Sequence, residues 1–99
     1  MNFTSNEKSA IITILYSIMQ SDGNVDPREQ NFLDEFLREF AITIDEYTAA
    51  AHMDRAECKR IINAMPEEKK NKVTKYFLDM VGADGKVDLR ELSVLRELM

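Results

Sequence analysis

A stretch of eight residues that occurs twice constrains the fold of this chain more than any other feature. Its copies span residues 22–29 and 84–91, and both read D-G-x-V-D-x-R-E, followed by x-x-x-L-x-E. An apolar pattern with helical spacing precedes each copy, and another follows it. The sequence therefore predicts an all-α fold in a single domain over residues 1–99. We expect a compact bundle of about six helices, with an internal pseudo-repeat of two helix–DG-turn–helix corners.

The residues of the repeat are typical of a helix end followed by a helix start. Gly23 and Gly85 can take positive φ without steric cost, which suits the C-terminal cap of a helix, and we expect positive φ at both. An aspartate follows three residues later and a glutamate three residues after that, which is the spacing of a capping box. The acids that would form these boxes, as exposed and hydrogen-bonded carboxylates, are Asp26, Glu29, Asp88 and Glu91.

A cation site is the alternative explanation of the same acids. The glycine, the valine and the glutamate of each copy match the sixth, eighth and twelfth positions of an EF-hand loop. An ordinary EF-hand is not expected, because the first and third positions carry no acid in either copy. A weaker divalent-cation site that pools acids from both corners stays open. Its ligands would be Asp22, Asp26, Glu29, Asp84, Asp88 and Glu91.

Paired A/S-D-G-x-V-D-x-x-E corners between amphipathic helices resemble the TerB-like family of tellurite-resistance-associated helical domains. The resemblance covers residues 10–99, and it is carried by the acids and the glycine of each corner. It implies a compact all-α domain with a shared acidic surface that binds divalent metal or partner proteins in stress responses. Similar domains also occur fused to J-domain co-chaperones. On this basis we expect an interaction module with a protein partner that the sequence does not identify.

Composition and net charge limit the classes of function and the cellular location that we expect for this chain. A net charge of −5 and a pI near 4.8 argue against nucleic-acid binding by the whole surface. Cys58 is the single cysteine and cannot form an internal disulfide, so we expect a cytoplasmic protein. The first residues lack the features of a signal peptide, and no apolar run is long enough for a membrane span, so no membrane insertion is expected.

The remaining helices are predicted from capping residues and apolar stripes. Capping pairs at Thr4 with Glu7, Thr43 with Glu46, and Asp54 with Glu57 open the first, third and fourth helices. The first four helices are expected to end near residues 20, 40, 51 and 64, the fifth leads into the second corner, and a sixth follows that corner. The predicted core consists of Ile14, Leu15, Ile18, Phe32, Phe36, Phe40, Ile61, Val73, Phe77, Val81, Leu92 and Leu95.

No set of catalytic residues is apparent, and we expect no enzymatic activity. His52 is the only histidine and is explained by a position near a helix end. Cys58 lies on an apolar face, where cysteine usually behaves as a small hydrophobic residue. Basic residues of the fourth and fifth helices predict a solvated face, with a docking patch for an acidic partner as the alternative. They are Lys59, Arg60, Lys69, Lys70, Lys72 and Lys75.

Overall fold

The computed structural model describes residues 3–20, 27–81 and Arg96. Within these residues the chain is helical, without strands, which confirms the all-α prediction. Arg96 is helical too, but the rest of the predicted sixth helix, both glycines of the repeat and the core positions Leu92 and Leu95 lie outside the described residues. The described helices are α1 (Ser5–Gln20), α2 (Pro27–Glu39), α3 (Ile44–His52), α4 (Arg55–Asn63) and α5 (Glu67–Val81).

Local capping explains where three of these helices begin. At the start of α1 the Thr4 N–H donates to Glu7 Oε1 over 2.8 Å, and the Glu7 N–H donates to Thr4 Oγ1 over 3.2 Å. Thr43 and Glu46 form the same reciprocal box before α3. Asp54 accepts a 2.8 Å hydrogen bond from the Glu57 N–H before α4. At the starts of α1, α3 and α4 the predicted capping residues are confirmed, because each pair satisfies backbone donors within four residues of sequence.

Helix α1 is the centre of the core, as its apolar sequence predicts. It packs against each of the other four described helices, and most extensively against α3 and α4. Of the predicted core residues, Ile14, Leu15, Ile18, Phe36, Val73, Phe77 and Val81 are buried. Phe32, Phe40 and Ile61 are only partly buried and pack against this core from its edge. No helix in the described part is both long and apolar enough to cross a membrane.

Contacts near Phe3 show which helix ends lie together. The Phe3 ring lies 5.6 Å from the Phe40 ring, just beyond the end of α2. Lys69 Nζ, in the first turn of α5, lies 5.8 Å from the Phe3 ring and 2.8 Å from Glu7 Oε1 in α1. The Phe40 ring also contacts Tyr76, further along α5. Thus α1 and α5 begin at the same end of the bundle, and α2 ends there.

The turn after α2 contains an alanine in a left-handed conformation. Ala41 has φ 49°, the one positive φ of a non-glycine residue among the described residues. The Ile42 N–H donates to Leu37 O over 3.0 Å, and the Ala41 N–H donates to Arg38 O over 3.2 Å. This pair of bonds is the Schellman motif, in which the left-handed position usually holds glycine. A β-carbon there costs about 1–2 kcal/mol.

We therefore expect Ala41→Gly to stabilise the protein by about 0.5–1 kcal/mol, because relief of strain exceeds the added freedom of the unfolded chain. Urea unfolding followed by circular dichroism measures this change. Ala49→Gly is the matched control: Ala49 is exposed within α3, so the same substitution should destabilise by about 1 kcal/mol. A loss of stability at both positions would contradict the strain argument.

Candidate functional site

Glu29 is the member of the predicted corner site that lies within the described residues. It occupies the first turn of α2, and its side chain is only 2% exposed. The expectation that this acid is exposed is wrong, whereas its capping role stays a prediction. The spacing from Glu29 to Leu33 and Phe36 is i, i+4, i+7, which puts the carboxylate on the buried stripe of α2. The other five predicted ligands, Asp22, Asp26, Asp84, Asp88 and Glu91, lie outside the described residues.

Burial restricts what the Glu29 carboxylate can do. A buried charge is stable only when hydrogen bonds or a counter-charge compensate for lost hydration. Backbone N–H groups at a helix start provide that compensation in a capping box, and a bound cation provides it in a metal site. No cluster of three or more His, Cys, Asp or Glu side chains suited to a metal occurs in the described part, which contains one of the six predicted ligands.

The two residues considered for catalysis occupy the positions that the sequence predicts. Cys58 is fully buried in the core. Burial raises the pKa of its thiol, and the carboxylates of Asp54 and Glu57 act in the same direction, while a hydrogen bond with Thr13 opposes them. The thiol therefore stays protonated at neutral pH and is a poor nucleophile. His52 is the last residue of α3 and is exposed to solvent.

The basic residues of α4 and α5 are distributed over two helices that each pack on α1. Lys69 is paired with Glu7, and Arg60 lies 3.8 Å from Glu57 in an exposed pair. The solvated-face prediction accounts for Lys59, Lys72 and Lys75, which are exposed. Lys69 instead pairs with Glu7 and holds the start of α5 against α1.

A groove between α1 and α3 is the site that the sequence did not indicate. We call it the tyrosine groove, and its volume is about 400 Å³. Tyr16 and Tyr47 are 44% and 46% exposed. A tyrosine at a half-exposed position presents its ring to neighbouring apolar groups and its hydroxyl to water. The groove is lined by Ile12, Thr13, Tyr16, Ser17, Tyr47, Ala50, Ala51 and Met53.

Side-chain hydroxyls of α1 hold the groove in shape. Ser9 Oγ donates to the Glu46 carbonyl over 2.9 Å in a buried contact. Thr13 Oγ1 lies 2.8 Å from the Ala50 carbonyl and 3.0 Å from the Ser9 carbonyl, which share its hydrogen. Two hydroxyls one turn apart thus attach α1 to carbonyls one turn apart on α3. The position of one wall relative to the other is fixed by these bonds.

Comparison with known proteins gives an architectural likeness. No family model matches the chain, and no curated protein matches it. It is similar to the crystal structure of a protein of unknown function from Porphyromonas gingivalis W83, with a TM-score of 0.77 and 29% sequence identity. The likeness covers 99% of this chain and 82% of that chain. The likeness concerns the helical arrangement, and because the function of that protein is unknown, it indicates no activity for this chain.

Proposed function

We propose that this chain is a small TerB-like interaction module that binds a partner protein through an acidic surface around the two DG corners and catalyses no reaction. The observation that carries the proposal is the double occurrence of the acidic motif after α1 and α5, two helices that begin side by side. The all-helical body agrees with the resemblance. The resemblance also implies a role in stress or tellurite resistance, and the single cysteine favours a cytoplasmic protein; we include both in the proposal.

Contact through the corners can be tested by reversing the charge of corner aspartates, because the proposed surface requires acidic side chains there. The chain is immobilised and incubated with cytoplasmic extract, and captured proteins are identified by mass spectrometry. We expect a partner bound by the parent to be lost with the double variant Asp22→Lys/Asp84→Lys. The control Asp34→Lys/Asp79→Lys makes the same change of charge at exposed positions of α2 and α5. Equal capture by both variants would contradict contact through the corners.

Divalent-cation binding is the second candidate, and the buried Glu29 carboxylate favours it. A cation that binds only the folded state raises the free energy of unfolding by about 2.7 kcal/mol at a hundred times its dissociation constant. We expect calcium, magnesium or zinc to raise the melting temperature of the parent if this candidate is correct. No shift with any of the three ions would exclude it.

The ligands of that cation are tested with neutral substitutions. Asp22→Asn/Asp84→Asn should weaken the cation effect strongly, because a carboxylate becomes an amide at an oxygen site. Asp34→Asn/Asp79→Asn is the control for the change in net charge. Glu29→Gln separates the two roles of the buried acid, since glutamine also serves in a capping box. If Glu29 acts as a cap, the Glu29→Gln variant should have the melting temperature of the parent in the absence of metal. If Glu29 is a cation ligand, the variant should lose the rise in melting temperature that the ion causes.

A further inference from the structure

We propose that the tyrosine groove is a binding site for a small uncharged molecule with an apolar body and a hydrogen-bond acceptor. This inference goes beyond the proposed function, because the groove contains none of the corner acids. Its volume of about 400 Å³ falls in the range of pockets that bind small molecules, which lie preferentially between helices in bundles. A stable protein partner usually contacts about 20–30 residues on each side, whereas eight residues line this groove.

The floor of the groove is chemically apolar. Ile12 and Ala50 contribute buried apolar surface. The hydroxyl hydrogens of Thr13 and Ser17 are used within the fold, since Thr13 donates to carbonyls of α1 and α3, and Ser17 Oγ donates to Thr13 O over 2.9 Å. A ligand therefore meets no free donor at the floor, and the favourable contact there is burial of an apolar body.

The rim of the groove provides two donors. Gln20 Nε2 donates to the Tyr16 hydroxyl oxygen over 2.7 Å, which leaves the Tyr16 O–H hydrogen available. The Tyr47 hydroxyl makes no hydrogen bond to another residue in the described part of the chain. Two phenolic O–H groups on tyrosines that line an apolar groove suit a ligand that carries a carbonyl or ether oxygen on a hydrophobic body.

The uncharged lining of the groove limits the net charge that a ligand can have. None of the eight lining residues carries a charge, so a charged ligand would lose hydration without gaining a counter-charge in the groove. The ligand class is therefore neutral. The hydrogen bonds from Ser9 and Thr13 fix the two helices before binding, so little ordering is required when a ligand enters.

The experiment uses four indoles that differ in charge and acceptor, titrated into the full ¹⁵N-labelled chain by NMR. Indole-3-carboxaldehyde is neutral with an acceptor, indole lacks the acceptor, indole-3-carboxylate is an anion and tryptamine is a cation. We expect the aldehyde to saturate with a dissociation constant below about 1 mM and to shift amide signals of groove residues. Indole should bind about fivefold more weakly, which corresponds to one lost hydrogen bond. Both charged compounds should bind at least about tenfold more weakly.

Variants then assign the binding to the groove. Ala51→Phe fills the groove from an exposed rim position and should weaken aldehyde binding at least about tenfold, whereas Ala49→Phe on the same helix lies outside the groove and should not. Tyr16→Phe/Tyr47→Phe keeps both rings and should abolish the advantage of the aldehyde over indole. This double variant provides the answer should Ala51→Phe fail to fold.

The proposal is overturned by any of four results: no saturable binding of the aldehyde, shifts that map away from the groove, equal affinity for the charged compounds, or a dimer in analytical ultracentrifugation that Ala51→Phe disrupts. None of these measurements involves a partner protein, a metal ion or a corner variant. Failure here therefore leaves the proposed interaction module untouched, and failure of that module leaves the groove untouched.

Discussion

Phe77→Ala is expected to cost about 3–5 kcal/mol in the free energy of unfolding, the largest effect of a single change considered for this chain. The Phe77 side chain is fully buried on α5, which packs against both α1 and α2. Truncation removes its apolar contacts and leaves a cavity that rigid helices fill only in part. Domains of this size have a total stability of about 5–15 kcal/mol, so the variant would be close to unfolding at moderate temperature.

Urea unfolding at 25 °C, followed by circular dichroism at 222 nm, measures the loss for Phe77→Ala. Leu78→Ala is the matched control, because Leu78 is the next residue of α5 and is 50% exposed. We expect the control to cost less than about 1 kcal/mol. Similar costs for the two variants would mean that α5 does not present the Phe77 face to the core.

Glu46→Ala is the second large expected effect, with a loss of about 1–2 kcal/mol. Glu46 Oε1 accepts a 2.9 Å hydrogen bond from the Thr43 N–H, and Oε2 lies 3.8 Å from Lys8 Nζ. Removal of this side chain breaks the capping box of α3 and its link to α1. Glu68→Ala is the control, since Glu68 is an exposed acid in the first turn of α5. A negligible difference between Glu46→Ala and this control would contradict the role of the box.

The pH dependence of the Glu46 contribution follows from its pKa. The hydrogen bond from the Thr43 backbone, followed by one from Ser5 and the charge of Lys8, lowers the pKa of Glu46 from 4.5. A carboxyl whose pKa is lower in the folded state stabilises the fold above its unfolded pKa, and this contribution disappears as pH falls through the folded value. The difference in stability between parent and Glu46→Ala should therefore be full at pH 7 and shrink progressively below pH 4.5.

The contribution of Glu7 to the stability of the fold should likewise decrease at acidic pH. Burial is the largest single influence and acts to raise the pKa of Glu7, but the hydrogen bond from Lys69 and those from Thr4 together outweigh it, and the pKa is lowered. Protonation of Glu7 thus weakens the contact that holds the starts of α1 and α5 together. Both acids make the fold less stable below pH 4.5 than at neutral pH.

The helices were predictable because their determinants are local. The box of Thr43 and Glu46 needs only residues three apart, and the buried stripes follow the period of a helix. The burial of Glu29 was also readable from its spacing to Leu33, but its match to a capping motif led to the opposite expectation. The left-handed Ala41 was not predictable from its type, since such positions usually hold glycine.

The tyrosine groove was not predictable because it depends on how two helices meet. Tyr16 and Tyr47 are separated by 31 positions in the sequence, and each looks like a core residue or a surface residue when taken alone. The two tyrosines line one groove because the hydroxyls of Ser9 and Thr13 hold α1 against α3, and these hydrogen bonds are tertiary contacts. A single sequence contains no signal for the carbonyl that a given hydroxyl will reach.

The two hydroxyl bonds between α1 and α3 also determine which motions are available to this part of the protein. Sliding of packed helices is a common form of conformational change, but here a shift by one turn would break both bonds at once. Exposed side chains still change rotamer within picoseconds to nanoseconds. Motion that leaves α1 and α3 in place is thus confined to exposed side chains such as those of Tyr16 and Tyr47, on a timescale far shorter than that of helix displacement.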